Sequence, residues 1–371
     1  MGIGIGRKVY IPEDPSFKAV MAKAFKESRN IDRKVTDYCI EIGSRNDMSF
    51  TDNNRLSFRI GRDYYEYALT PWALAQLCHK IGIPVNYFRS LLRKNNPECK
   101  ALAKSTINTM LKYNNDNMMI RTYGDKARGI LSGSYKCFDT TQILQVIQKL
   151  ADTKSFLGLK NMECKEYYLD EEFFVLSFIY KEPLQGLRDK DLHLGIRISS
   201  SDVGKSAIHV DSWVYKELCT NGLYAYCNET SVYYQRHVNV TPNNVRDKIE
   251  TVLLRYPEIM DKVVKDIKKA EDFSLANSVL LKEGEDEKTY AGSIREAVAK
   301  KLELTNGQMD TIAQIAKASY TPDLWGYVNA ITEYAHELSA YNRIMLENKA
   351  GRFMTEFDKL FGLGLKLGWK M

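Results

Sequence analysis

Two arginines in one short segment are the residues of this sequence best placed to do chemistry, and that chemistry is the binding of an anion. Residues 117–131 are typical of a tight hairpin with Gly124-Asp125 as its loop, and a glycine in first position suits a type II′ turn. This register pairs Arg121 with Arg128. Two arginines directly opposite each other destabilise a sheet unless an anion relieves them, and the planar guanidinium fits phosphate well.

Neighbouring side chains extend this candidate anion site to one that suits nucleic acid. The same register pairs Tyr123 with Lys126 and puts both on the face of the two arginines. A tyrosine offers a stacking surface for a base, the usual complement of phosphate contacts in single-strand binders. The alternative is that the hairpin arginines pair with carboxylates and that the lysines form a solvated face. Basic residues of two predicted helices flank the hairpin, namely Arg89, Arg93, Lys100 and Lys104.

The positive charge of the chain is concentrated near these residues. The formal net charge is +6, and residues 1–135 carry 22 Lys and Arg against 13 Asp and Glu, an excess of nine. The remaining residues, 136–371, are close to neutral. A local excess of this size is a modest electrostatic footprint for a polyanion, although ordinary solubilising charge also explains it.

A second segment resembles a phosphate-binding loop without being one. Residues 199–206 read SSSDVGKS, with Ser199 where the first glycine should be. Such a loop needs a following helix whose N-terminus faces the phosphates. Residues 207–214 alternate like a strand instead, so we predict a turn rather than a nucleotide site.

No assembled catalytic or metal site is recognisable in the sequence. The five histidines form no His-x-x-x-His pair and no Cys/His cluster with zinc spacing, and we expect each to be structural. No nucleophile, base and orienting group can be combined. Any catalytic residues are therefore unknown. We predict no metal and no cofactor, and we favour a binding protein over an enzyme.

The elements that must position the hairpin follow from hydrophobic periodicity and helix caps. Thr70-Pro71 and Thr241-Pro242 each supply an N-cap and a proline at the first helical position. The predicted elements are a hairpin at 55–60 and 64–69, short helices at 71–81, 85–94 and 97–112, strands at 118–132, a helix from Thr140, strands within 163–240, and helices from Pro242 almost to the end.

This order predicts an α+β fold, because the βαβ alternation of a doubly wound sheet is missing. We expect an antiparallel sheet core with packed helices, followed by a mainly helical C-terminal region. The predicted parts are a polar N-terminal segment (1–45), an α+β core domain (46–240) and a helical region (241–371). The acidic stretch 282–288 is the best linker candidate.

Composition narrows the class of protein. Hydrophobic residues make up 44% and charged residues 27% of the chain, a globular balance. No run of 18 apolar residues is present, so we expect no membrane partner. Seven scattered cysteines without a Cys-x-x-Cys motif predict reduced thiols in a cytoplasm.

Five segments stand out when they are taken together. They are IGIPVNYFRSL (81–91), IRTYGDKARGILSGSYKCFD (120–139), residues 199–210, ELCTNG (217–222), in which Asn221-Gly222 predicts a turn, and LWGYVNAITEYAHE (324–337). In that order they resemble the DUF932 family of phage- and plasmid-encoded proteins, over roughly residues 55–350. The resemblance implies a mobile-element protein of a bacterial host, connected with DNA replication, recombination or defence, and it carries over no catalytic residue. Asp202 departs from the Ser-Glu-x-Gly that is usual in the family.

The combined prediction is a phage- or plasmid-type protein that binds nucleic acid, most plausibly single-stranded DNA. Its role would be recombination or replication, with strand annealing in a homo-oligomer as one form. The first alternative is an interaction protein that targets a host defence or replication factor through an exposed tyrosine-rich patch at 223–240. The second is a nucleotide-acting enzyme with Lys205 and Asp202 near phosphates.

Overall fold

The strands that the structure describes form two six-stranded sheets, and helices pack on both. This arrangement, with a helical C-terminal region, confirms the predicted α+β fold. The computed structural model describes residues 12–32, 39–42, 48–51, 55–60, 62–94, 96–114, 116–153, 157–217, 221–224, 232–275, 280 and 290–366. The predicted linker at 282–288 lies outside these residues.

The first sheet and its helices come from the N-terminal part of the chain. In order, the elements are α1 (Phe17–Asp32), β1 (Cys39–Ile42), β2 (Met48–Phe50), β3 (Arg55–Ile60), β4 (Asp63–Leu69), α2 (Pro71–Lys80), α3 (Val85–Arg93), α4 (Pro97–Tyr113), β5 (Met118–Tyr123) and β6 (Lys126–Ser132).

This sheet has the strand order β1-β5-β6-β4-β3-β2. Its neighbours are antiparallel except β4 and β6, which are parallel. A parallel pair needs a long crossover, and α2, α3 and α4 supply it. These helices bury Leu77, Phe88 and Ile107 against Ile120 and Ile130 of the sheet.

Local sequence explains where the crossover begins. The Thr70 side chain accepts a hydrogen bond from the backbone N of Ala73 at 3.1 Å, and Pro71 takes the first helical position. Gly82 follows the helix with a φ of 73°, a conformation that glycine adopts at little cost. The predicted cap and stop are both confirmed.

The second sheet follows in the middle of the chain and is antiparallel throughout. Its strand β10 pairs with β9 on one side and with both β11 and β12 on the other. The elements of this part are α5 (Thr140–Asp152), α6 (Leu157–Asn161), β7 (Glu163–Leu169), β8 (Phe174–Ile179), β9 (Leu192–Ser200), β10 (Ile208–Lys216), β11 (Asn221–Tyr224) and β12 (Val232–Gln235).

Helices complete the chain and share the main core with the second sheet. The largest buried cluster joins Ile196 and Val210 of that sheet to Val20 of α1 and to Ile331 and Phe353 near the C-terminus. The division at residue 240 stays a prediction, and this cluster spans it. The C-terminal helices are α7 (Pro242–Leu254), α8 (Tyr256–Asp272), α9 (Tyr290–Leu302), α10 (Asn306–Ser319), α11 (Leu324–Ala335) and α12 (Ala340–Lys366).

The structure bears on two expectations from composition, which concern membrane spans and cysteines. Among the described helices, none is both long and apolar enough to cross a membrane. Cys78, Cys99 and Cys164 are free thiols. Cys137, however, is disulfide-bonded, so the expectation of reduced cysteines is wrong at this position.

Candidate functional site

The β5–β6 hairpin keeps its predicted turn but loses its predicted register. Tyr123 pairs with Lys126, and Gly124 in the turn has a φ of 58°. The register then shifts between Arg121 and Thr122, so that Arg121 faces Gly129. The predicted Arg121–Arg128 pairing is therefore wrong, because Arg128 is the extra residue of a β-bulge.

Both hairpin arginines are buried and bonded within the protein. Arg121 is 1% exposed, and its Nη1 lies 2.7 Å from Oδ1 of Asp139. Arg128 is equally buried, and its Nη1 donates to the carbonyl oxygen of Glu171 at 3.0 Å. The alternative of internal pairing describes Arg121 well. As placed, neither guanidinium reaches the surface.

The other hairpin residues lie at its tip. Lys126 is exposed and Tyr123 is half-buried. Arg55 of β3 supports the tip, since its Nη2 donates to the carbonyl oxygen of Asp125 at 3.2 Å. A nucleic-acid strand could still contact Tyr123 and Lys126, but it would make no contact with the two buried arginines.

The four flanking basic residues belong to a different surface. Helices α3 and α4 pack on the face of the first sheet to which Ile120 points. Arg121, the next residue, points to the opposite face. The eight predicted site residues thus do not form one cluster. On the helices, Arg93 and Lys100 are exposed, while Lys104 and Arg89, which donates to the carbonyl oxygen of Pro71, are half-buried.

The SSSDVGKS segment forms the turn that joins β9 to β10, as predicted. A strand follows it instead of a helix, so its backbone N–H groups do not have the phosphate-loop arrangement. Ser201 Oγ accepts from the backbone N of Lys205 at 2.9 Å, and Gly204 has a φ of 71°. The Asp202 carboxylate accepts from the backbone N of Thr140 at 3.1 Å, at the start of α5.

This turn contacts several parts of the molecule. The Val203 carbonyl oxygen accepts from Trp72 Nε1 at 3.0 Å and from Gln76 Nε2 at 2.9 Å, both on α2. A Cβ on Gly129 would lie 3.0 Å from Cβ of Val203. Glycine at 129 therefore lets the turn lie directly on β6, next to the bulge.

Beside this turn is a cleft of about 620 Å³, which we call the Lys205 cleft. Hydroxyl groups, aromatic rings and two cationic side chains line it, and none of its described lining residues is acidic. These residues are Leu131, Ser132, Ser134, Tyr135, Gly204, Lys205, Ser206, Ala207, His209, Tyr234, Arg236, His237, Val238, Tyr341 and Met345.

Each cationic side chain of the cleft lies next to an aromatic ring. The Lys205 ammonium is 5.3 Å from the ring centroid of Tyr341 and 2.7 Å from Oε2 of Glu172, which lies outside the lining. Arg236 is exposed, and its Nε donates to the hydroxyl of Tyr234 at 3.1 Å. Tyr234 is itself 55% exposed. At two places in the cleft a cationic group and an aromatic ring therefore occur side by side.

Two histidines lie deeper in the cleft. The ring of His237 stacks on Tyr135 with centroids 5.0 Å apart, and His209 meets Tyr234 edge-on at 5.2 Å. Burial lowers the pKa of both histidines to about 4. Both are neutral at physiological pH, so the positive charge of the lining comes from Lys205 and Arg236.

A buried ion-pair network fixes α12, which forms one wall of the cleft. Glu166 of β7 accepts from Nη2 of Arg197 at 2.7 Å and from Nη2 of Arg343 at 2.8 Å. Burial alone would raise the pKa of Glu166, but the two arginine charges outweigh it and hold the pKa below its usual range. Tyr341 and Met345 of the wall lie on either side of Arg343 in α12.

Glu347, one turn further along α12, completes the network. Arg343 Nε donates to Oε1 of Glu347 at 2.7 Å, and Arg197 Nη2 lies 2.7 Å from Oε2 of the same carboxylate. The Arg197 guanidinium also stacks on Trp213, 4.5 Å from the ring. Two buried arginines and two buried glutamates thus balance in charge.

Asp211 lies beside this network without joining it. It faces Arg197 across the β9–β10 pair and is 1% exposed. Neither of its carboxylate oxygens has a hydrogen-bond partner in the part of the chain that the structure describes. Burial raises the pKa of Asp211 to about 7, although Arg197 and Arg352 act in the other direction.

Sequence reasoning missed most of the cleft. Tyr341 was in no predicted site, and Tyr234 and Arg236 were only part of the alternative tyrosine-rich patch at 223–240. His209 and His237 were expected to be structural. The available signals were the SSSDVGKS turn, which brings Lys205 to the cleft, and the tyrosine-rich patch predicted at 223–240. Within that patch Tyr234 is exposed, while residues 225–231 lie outside the described residues.

A family model described as "Domain of unknown function (DUF932)" matches residues 127–349. The described residues that line the Lys205 cleft, from Leu131 to Met345, fall within this segment. The basic residues of α3 and α4 precede it. No curated protein and no solved structure matches the chain.

Proposed function

The chain belongs to the DUF932 family, and we propose that it binds single-stranded nucleic acid, most plausibly DNA, in the Lys205 cleft. The observation that carries the proposal is the lining of this cleft. It holds Lys205 and Arg236, each beside a tyrosine, and no acidic side chain among its described residues. An anionic ligand with aromatic rings suits such a surface better than a neutral or cationic ligand.

The physical reason is the composition of a nucleic-acid strand. Its phosphates favour guanidinium and ammonium groups. Its unpaired bases stack on aromatic side chains, at about 1–3 kcal/mol per base. A duplex hides its bases from an exposed ring such as that of Tyr234, so the proposal favours a single strand.

The predicted basic residues then take two different roles. Arg93, Lys100 and Lys126 are exposed outside the cleft, where they add to the long-range attraction for a polyanion. Arg121 and Arg128 are buried, so we propose that they stabilise the fold and do not contact the nucleic acid. The proposed biological role is recombination or replication, with strand annealing by a homo-oligomer in a bacterial cytoplasm.

The two alternatives differ from this proposal in their sites. An interaction protein would use Tyr234 and Val238, which are exposed at the rim of the cleft, and would have no affinity for nucleic acid. A nucleotide-acting enzyme would need Asp202 near the phosphates, but its carboxylate is bonded at the start of α5. That contact argues against an enzyme in which Asp202 and Lys205 lie near the phosphates.

Fluorescence anisotropy with single-stranded and duplex oligonucleotides at two salt concentrations tests the proposal. We expect preference for the single strand and an affinity that falls by about 0.7 log units per log unit of salt for each phosphate contacted. Arg236→Ala should weaken binding several-fold. Arg246→Ala, an exposed arginine of α7 that does not line the cleft, is the matched control and should leave it unchanged. Absence of binding at low salt would refute the proposal.

A further inference from the structure

The size of the Lys205 cleft limits what it can hold. Its volume of about 620 Å³ lies within the range of small-molecule sites, roughly 300–1,000 Å³. Grooves that bind a length of single-stranded nucleic acid are longer, with site sizes of about 4–16 nucleotides in OB folds. A cleft of this volume has room for one nucleotide, while the rest of a strand would lie outside it.

The arrangement of the lining matches the two chemical parts of a nucleotide. Arg236 and Tyr234 are joined by the bond from Nε to the tyrosine hydroxyl, so a cation and a ring are held together at the rim. A base stacked on that ring would bring its phosphate close to the guanidinium. Lys205 and Tyr341 repeat the same combination.

A buried, neutral histidine forms part of the lining behind these groups. His237 is 4% exposed, and its Nδ1 has no hydrogen-bond partner among the described residues. Its Nε2 lies 3.3 Å from Ser200 Oγ. Because burial keeps this ring neutral, one of its nitrogens donates and the other accepts. The ring therefore adds no charge to the lining, and the phosphate is left to Arg236 and Lys205.

We infer that the Lys205 cleft binds one nucleotide unit, with its base on Tyr234 and its phosphate at Arg236, so that a nucleoside monophosphate is the smallest sufficient ligand. This inference rests on the proposed function and makes it more specific. The strand is then held mainly by one unstacked nucleotide, and the basic surfaces outside the cleft contribute charge.

Competition by small ligands tests the inference. A fluorescent oligothymidylate is bound to the full chain and displaced with thymidine 5′-monophosphate. Thymidine and inorganic phosphate serve as separate controls at constant ionic strength. We expect the monophosphate to displace the oligonucleotide at lower concentration than either control. Tyr234→Ala weakens the oligonucleotide as well, so the inhibition constant of the monophosphate is calculated with the variant's own affinity for the oligonucleotide. That constant should rise about tenfold, the equivalent of one base stack.

Tyr234→Phe is the matched variant, because it keeps the ring and removes only the hydroxyl that Arg236 contacts. It should bind the monophosphate more tightly than Tyr234→Ala does. Tyr234 is exposed, so both variants are expected to fold, and circular dichroism checks this.

Three results would overturn the inference. In the first, the oligonucleotide binds in an Arg236-dependent way but the monophosphate displaces it no better than inorganic phosphate does, which leaves the proposed function standing. In the second, the inhibition constant of the monophosphate is the same for Tyr234→Ala as for the unmodified protein. In the third, the oligonucleotide does not bind at all, and the proposed function then fails together with the inference.

Discussion

Glu166 of β7 and Arg343 of α12, which are 177 positions apart, form a buried ion pair with Oε1 and Nη2 2.8 Å apart. The same carboxylate accepts from Arg197 of β9. One side chain thus joins the second sheet to the C-terminal helix that carries Tyr341 of the cleft. Its removal should affect both stability and strand binding.

Glu166→Gln should destabilise the fold by about 3–5 kcal/mol, since it leaves two buried guanidinium groups without one of their carboxylates. The effect should shrink at low pH. The pKa of Glu166 is depressed in the fold, so its stabilising contribution is present above its unfolded pKa and is lost as the pH falls through the folded value. Urea denaturation at several pH values measures both.

The matched control for that substitution is Glu217→Gln. Glu217 is half-exposed and pairs with Lys165 at 2.9 Å, and exposed pairs contribute about 1 kcal/mol or less. Equal losses in the two variants would show that the buried network has no special role in stability.

Asp211→Asn should change how stability depends on pH. The pKa of Asp211 is raised to about 7 in the fold by burial, so its ionisation opposes folding as the pH rises from about 4 to 7. The neutral variant lacks this penalty, which would be a few kcal/mol at about 1.4 kcal/mol per pKa unit. The free energy of unfolding of Asp211→Asn should therefore rise relative to that of the unmodified protein as the pH increases over that range.

Thermal unfolding of both proteins between pH 4 and pH 8 checks this expectation. The pKa of the neighbouring His209 is lowered to about 4 by burial, so its contribution to stability rises with pH and runs opposite to that of Asp211. Parallel stability curves would mean that Asp211 is ionised in the fold throughout.

Arg121→Ala should lower the free energy of unfolding and should have no direct effect on nucleic-acid binding. The substitution removes the buried partner of Asp139, whose side chain is 27% exposed. We expect a loss of about 2–3 kcal/mol, less than for a fully buried pair. Arg93→Ala removes an exposed arginine and should cost under about 0.5 kcal/mol. Chemical denaturation distinguishes the two, and a fully stable Arg121→Ala that fails to bind would restore the hairpin as the site.

Glu172→Gln should increase affinity for a single strand. Glu172 holds the Lys205 ammonium at 2.7 Å, with both side chains about a quarter exposed, and it therefore competes with an incoming phosphate. Without that carboxylate we expect binding several-fold tighter at low salt and a change in stability of about 1 kcal/mol or less. The salt titration used for Arg236→Ala measures it. Weaker binding would mean instead that Glu172 orients Lys205 for the ligand.

Local sequence was sufficient wherever neighbouring residues decide the structure. Thr70 and Pro71 start α2, Gly82 ends it, and Thr241 caps α7 by accepting from Asn244 N. The turn at Gly124 and the strand after SSSDVGKS were predicted for the same reason. Caps, turns and periodicity act over a few residues, and a single sequence contains all that they need.

Tertiary structure decided which polar residues meet. The bulge at Arg128 and the burial of Arg121 depend on a turn and loops that pack on the hairpin from far along the chain. Gly222, predicted in a turn, lies in β11, where a Cβ would come within 2.8 Å of Arg197 Nη2.

The Lys205 cleft shows the same division between local and long-range information. The sequence determined the turn that carries Lys205, but the cleft also needs Tyr234 from β12 and Tyr341 from α12. These residues meet only because the second sheet and α12 share a core and a buried ion-pair network. Such contacts depend on the free energy of packing the whole chain, which no local pattern records.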